Sequence, residues 1–134
     1  MRPRSSGLAT SAAVLRRVAA DPGLYGELDR RSARLAAGIE EGFRAAGLPG
    51  HVRRVGSMLQ PFLTARPAVE PRDVGEAAAL QPADAYTAYC DELERRGVYA
   101  HRYPLGRWFV SLAHDDDAID ETIAAAADAA RALA

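Results

Sequence analysis

No lysine occurs in the 134 residues, so all 17 basic side chains are arginines. Without an ε-amine no side chain can form a Schiff base with a carbonyl compound, which removes one route to covalent catalysis. Cysteine is almost missing too: Cys90 stands alone, so there is neither an internal disulfide nor a cysteine-rich zinc site. A reducing cytoplasm is the expected setting. Excess charge of one sign is also lacking, because 17 basic and 18 acidic residues leave a net charge of −1 and the arginines are scattered. Such a surface offers no general field for nucleic acid or an anionic membrane. No apolar run reaches membrane-spanning length, and the opening MRPRSSGLATSAAVLRRVAADPG is basic without the uninterrupted apolar stretch of an export signal. One domain over residues 1–134 is expected, since a chain of this size buries roughly two thirds of its extended surface around a single core.

What is present is helical periodicity around a short stretch of strand character. Leu8, Ala12, Leu15 and Val18 recur on one side of a helix predicted over 6–20, with Ser5 or Ser6 as its cap and Asp21–Gly23 as its stop. A longer helix is predicted from about Leu24 to Leu48, with an apolar stripe of Leu28, Leu35, Ile39, Phe43 and Ala46, closed by GLPG. HVRRVGSMLQPFLT, residues 51–64, reads as two strands or one bent strand, and Pro61, lacking an amide donor, requires an edge or a bulge. Residues 65–80 carry no clear period and read as a surface connection. Tyr86, Tyr89, Cys90 and Leu93 predict a helix over 82–96 closed by Gly97, followed by VYA and RWFVSLA as strands around the HRYPLG turn. Asp115, Asp116 and Asp117 open a last helix that buries Ile119, Ile123, Ala127, Ala130 and Leu133. The expected fold class is α+β: a small, mostly antiparallel sheet with helices packed on one face.

Few residues point to chemistry. His51, His101 and His114 lie in different segments without the spacing of a helical metal pair, and surface or strand-end roles suit them better. The aspartate run lacks the alternating ligands and glycine of a calcium loop. Ser111 and His114 are expected on a strand, without the sharp strand-to-helix turn that presents a nucleophile, and Cys90 lies in an apolar seam as an inert thiol. Neither GLPG nor PLG has the pattern of a phosphate cradle. Arg53, Arg54 and Arg107 remain as candidate anion contacts, because a guanidinium grips a carboxylate with two parallel hydrogen bonds. Solvated charge is the plainer account of the first two. For Arg107, between a turn and the most apolar strand, the balance is closer, because partial burial there would require a partner.

The segments GLATSAAVLRRV, RRVGSMLQPFLT, ERRGVYAHRYPLGRWFVSLAH and DDDAIDETI, in this order, resemble the C-terminal small domain of class III, fold-type I, pyridoxal-phosphate aminotransferases, nearest to their glutamate-1-semialdehyde 2,1-aminomutase branch. The resemblance runs from Gly7 to Ala132, and RVGSM and FVSLAH are its most specific parts. It implies a separate large domain that carries the cofactor lysine, the aspartate facing the pyridine nitrogen and most phosphate contacts; none of these transfers to a residue here. It also implies that the small domain closes the site over substrate and packs in a homodimer, and that Arg107 stands where some of these transaminases place an arginine near the substrate carboxylate. The chain departs from the aminomutase branch at Arg102–Gly106, where RYPLG replaces a PS-F-E pattern and Gly106 takes the place of a glutamate. The expectation is therefore a truncated or split small domain, with no catalytic residue and no cofactor bound by this chain alone, whose partner is a pyridoxal-phosphate-binding large domain or a second copy. A stand-alone, self-associating interaction module is the alternative; an independent catalyst is disfavoured by the missing acid, base and nucleophile constellation.

Overall fold

The computed structural model describes residues 4–64, 66, 69 and 71–134, the side chains of 4–6 excepted, so the cap expected of Ser5 or Ser6 lies outside the described residues. Helix α1 (Arg4–Ala20) forms as its periodicity predicts, but its apolar stripe is left largely open: Leu8 is 74% and Leu15 68% exposed, and Ala12 and Val18 are only half-buried. Period alone says which residues share a side, not what covers them.

Helix α2 (Leu24–Ala46) carries the main core stripe, burying Leu35, Ile39 and Phe43, while Leu28 and Ala46 sit half-buried at its margins. It packs against a hairpin of β1 (His51–Val55) and β2 (Met58–Phe62), joined by Gly56 and Ser57. A third strand, β3 (Trp108–Phe109), pairs with β2 to complete an antiparallel sheet of order β1-β2-β3. Pro61 therefore lies in the central strand rather than an edge strand. It is tolerated because β3 pairs only with Met58 and Leu59, which leaves Pro61 a strand neighbour on one side alone, opposite Val52.

The connection expected over 65–80 holds a short helix, α3 (Val74–Leu80), capped by Asp73 Oδ1, which accepts the Glu76 amide at 2.9 Å. It buries no residue, which is why no apolar period announces it. Helix α4 (Ala83–Arg95) buries Tyr86, Tyr89, Cys90 and Leu93 as their spacing predicts, and the Tyr89 ring meets Phe43 edge-on at 5.3 Å.

The VYA strand does not form. Gly97 takes φ +81 to close α4, and this turns the Val98 amide back to the Leu93 carbonyl at 3.0 Å, away from any ladder. The following strand is cut to two residues for a similar reason. Arg31 Nη1 donates to the Leu112 and His114 carbonyls at 3.1 and 2.6 Å, and the Ser111 amide donates to His114 Nδ1 at 3.0 Å, so 111–114 fold into a turn. Arg31 and Arg30 share Glu27, whose carboxyl is held down to about 2, by Arg30 first and Arg31 second.

Helix α5 (Asp116–Leu133) packs on both α2 and α4. Two helical neighbours explain why its buried residues are Ile119, Ala125, Ala126, Ala129 and Ala130, whereas Ile123, Ala127 and Leu133 are only half-buried. Asp115 caps the helix, its Oδ1 accepting the Ala118 amide at 2.9 Å. Asp115→Ala is expected to cost about 1 kcal/mol in urea unfolding, and a change near zero would show that water replaces the cap. The outcome is the α+β fold expected: a three-stranded antiparallel sheet with α2, α4 and α5 layered on one face.

Candidate functional site

The face of the sheet turned away from those helices is only partly covered. Alternation along the strands puts Leu59 and Pro61 into the core and sends Arg53, Val55, Met58 and Gln60 to the other side, where Phe109 stands opposite Met58. Val55 and Phe109 are 73% and 63% exposed. Alongside, α3 and the residues before it form the second wall of a cleft of about 350 Å³.

Arginines dominate the polar lining, but most are engaged. Arg54 donates to Asp29 Oδ1 at 2.5 Å, and Arg72 is held by Glu76. Arg53 donates to His51 Nε2 at 3.2 Å and to the Val69 carbonyl at 3.4 Å. Arg107 makes no hydrogen bond or ion pair with the described residues. It is exposed rather than partly buried, so burial imposes no partner on it. Its side chain lines the cleft and also a second cavity of about 250 Å³, between residues 98–101 and β3, where the missing VYA strand would have lain.

The backbone leading into Arg107 is fixed from several sides. Gln60 Nε2 and Gln81 Nε2 both donate to the Pro104 carbonyl, at 2.8 and 3.0 Å. Gln81 is buried; it also donates to the Pro61 carbonyl at 3.0 Å and accepts the Leu63 amide at 2.8 Å. Tyr86 accepts Trp108 Nε1 at 3.1 Å and donates to the His101 carbonyl at 3.0 Å. Burial raises the Tyr86 phenol strongly, so it remains a neutral donor. Gln60, Gln81 and Tyr86 were not singled out by sequence; residue type gives no sign of such distant partners. At Gly106 an added Cβ would stand 2.5 Å from His101 Nδ1 and 2.9 Å from the Tyr103 carbonyl oxygen. A glutamate cannot occupy that position while the turn keeps this shape.

The other candidates resolve as follows. The His51 ring stacks on Phe62 with centroids 5.2 Å apart, and desolvation followed by the charge of Arg53 lowers its pKa. His101 Nδ1 accepts the Tyr103 amide at 3.1 Å. Ser111 Oγ lies 3.3 Å from His114 Nδ1, closer than a strand would allow, but the same nitrogen accepts the Ser111 amide and the pair closes a turn. Cys90 is buried, and desolvation raises its thiol. Among the described residues, no three histidine, cysteine or acidic groups gather as a metal site, and no helix is long and apolar enough to cross a membrane.

No family model matches the chain. Its sequence is 38% identical over 111 residues to a glutamate-1-semialdehyde 2,1-aminomutase of Thermomicrobium roseum, covering 81% of this chain and 24% of that protein. The fold superposes on the FumI protein of Sphingopyxis, solved in its PLP internal aldimine form, with a TM-score of 0.67 and 25% identity over 87% of this chain and 24% of that one. It also superposes on a glutamate-1-semialdehyde aminomutase of Pseudomonas aeruginosa, with a TM-score of 0.70 and 21% identity over 83% and 24% of the two chains. The three-stranded sheet with its helical layer thus has the α+β fold of the C-terminal domain of fold-type I enzymes. By sequence, the chain resembles glutamate-1-semialdehyde 2,1-aminomutases over most of its own length. It spans about a quarter of the length of the curated relatives it matches.

Proposed function

We propose that the chain works as the small domain of a class III, pyridoxal-phosphate-dependent aminotransferase or aminomutase-like enzyme, docking on a cofactor-binding large domain and helping to close the site over substrate. The observation that carries this reading is a mismatch: the sequence aligns with about a quarter of such enzymes and contains no lysine. The residues present do not fit the cofactor, because no side chain supplies the primary amine that an internal aldimine requires. No catalytic step is therefore assigned to this chain. Arg107, uncommitted at the mouth of the cleft, is its proposed contact for a substrate carboxylate.

The uncovered stripe of α1 supports docking, since Leu8 and Leu15 contribute nothing to the chain's own core. Coexpression with a lysine-bearing large domain of a class III relative is expected to give a stable complex that binds pyridoxal phosphate and transfers amino groups. Leu8→Glu with Leu15→Glu should abolish that complex while leaving the urea midpoint of the isolated chain nearly unchanged. A chain that remains separate from the large domain and forms a tight homodimer through the same stripe would instead establish the self-associating module. Amino-group transfer by the purified chain alone would overturn both readings.

A further inference from the structure

We infer that residues 98–100 are a strap poised to close onto β3 as a fourth strand, pairing Tyr99 with Phe109 and filling the cavity of about 250 Å³ that separates the two arms. The device belongs to the chain alone and depends neither on docking nor on the role of Arg107.

The two arms already match residue for residue. Val98, Tyr99 and Ala100 run half-buried, exposed and buried, and Trp108, Phe109 and Val110 repeat the same order. Antiparallel pairing about the 101–107 turn sets Val98 against Val110, Tyr99 against Phe109 and Ala100 against Trp108, so inward residues meet inward ones. The two outward rings then stand side by side. The backbone is prepared for this register. Val110 donates its amide to the Ser57 carbonyl at 2.9 Å, so Trp108 and Val110 turn their backbone groups toward β2, and alternation turns the N–H and C=O of Phe109 to the open margin. On the strap, the Val98 amide is held by the Leu93 carbonyl of α4, and the same alternation turns Tyr99 the other way once 98–100 is extended. Closure therefore makes two N–H···O bonds without breaking the one to Leu93. Tyr86 keeps the arms together at their base: its hydroxyl donates to the His101 carbonyl and accepts Trp108 Nε1, while the Gly106 amide closes the turn on the Tyr103 carbonyl at 2.7 Å. One hydrogen-bonded pair and one aromatic pair are weighed against the ordering of three residues, which leaves the closed strap a minor state that a body covering both rings selects. A tethered strap can close on so few bonds, whereas a strand from another molecule must also give up its translational freedom.

Amide relaxation dispersion on the chain itself reads the device directly. The Tyr99 and Phe109 amides are expected to exchange between two states on the microsecond-to-millisecond scale, with one common rate. Tyr99→Pro removes a donor that the closed pair needs and should bring the exchange at Phe109 to baseline. Tyr99→Ala keeps the amide and loses only the ring, so exchange should persist with the closed population lowered about threefold, the worth of one cross-strand aromatic pair. Unchanged Leu63 and Ala126 amide shifts would show that both variants keep the fold. Flat dispersion at Tyr99 and Phe109 overturns the proposal, as does an unchanged closed population in Tyr99→Ala, which decides the matter if Tyr99→Pro does not fold. A steady α-proton contact between Ala100 and Trp108 without exchange would mean a permanent fourth strand, and it also overturns a strap that opens and closes.

Discussion

Gly42→Val is expected to destabilise the domain by about 3 kcal/mol in urea unfolding, the scale of an overpacked core. A Cβ at residue 42 would lie 3.0 Å from Ala127 Cα and 3.3 Å from its Cβ, so it meets the main chain of α5 and no rotamer relieves the clash. Gly38, one turn earlier, faces a side chain: its added Cβ would fall 2.6 Å from Ile123 Cγ1 and 2.7 Å from Cγ2. The contrast gives the prediction its sharpness. Gly38→Ala alone should destabilise by about 1–2 kcal/mol, the overpacking reduced by alanine's better helix propensity. Added to an Ile123→Ala background, it should cost little. Gly42→Val should recover in no such background, and recovery there would mean that α5 shifts freely along α2.

Gln81→Leu is expected to cost about 3 kcal/mol for a different reason. The side-chain amide satisfies the Leu63 N–H and the Pro61 carbonyl, both at the buried end of β2, and shares the Pro104 carbonyl with Gln60. Leucine fills similar space but leaves the first two without partners, at about 1–3 kcal/mol each when water cannot reach them. Hydrogen exchange provides a local reading: the Leu63 amide should lose protection by more than the global change. Equal loss across the domain would assign the residue a packing role instead.

The helices that bury their stripes were legible because one residue's neighbours lie three and four positions away. Tyr86, Tyr89, Cys90 and Leu93 needed nothing beyond α4 to reveal which side faces inward. Leu8 and Leu15 show the limit of this reading, for an uncovered stripe has the same period as one facing its own core. The strands were harder: Val98 has strand-like neighbours, but Gly97 commits its amide to the end of α4. At the candidate site, Arg107 was visible through its type. The groups that hold its loop were not, since Gln81 and Gln60 act on Pro104 across 23 and 44 residues. Gly106 was noticed as a departure from relatives, while the contacts that forbid a side chain there appear only in three dimensions.

Strand β3 offers only two residues to β2 and has no further strand beside it among the described residues. Its far margin lies beside the exposed Phe109 ring, yet an edge this short gives another copy's extended backbone too few open groups to add onto. Concentrated solutions of the chain should therefore stay free of thioflavin-positive aggregates.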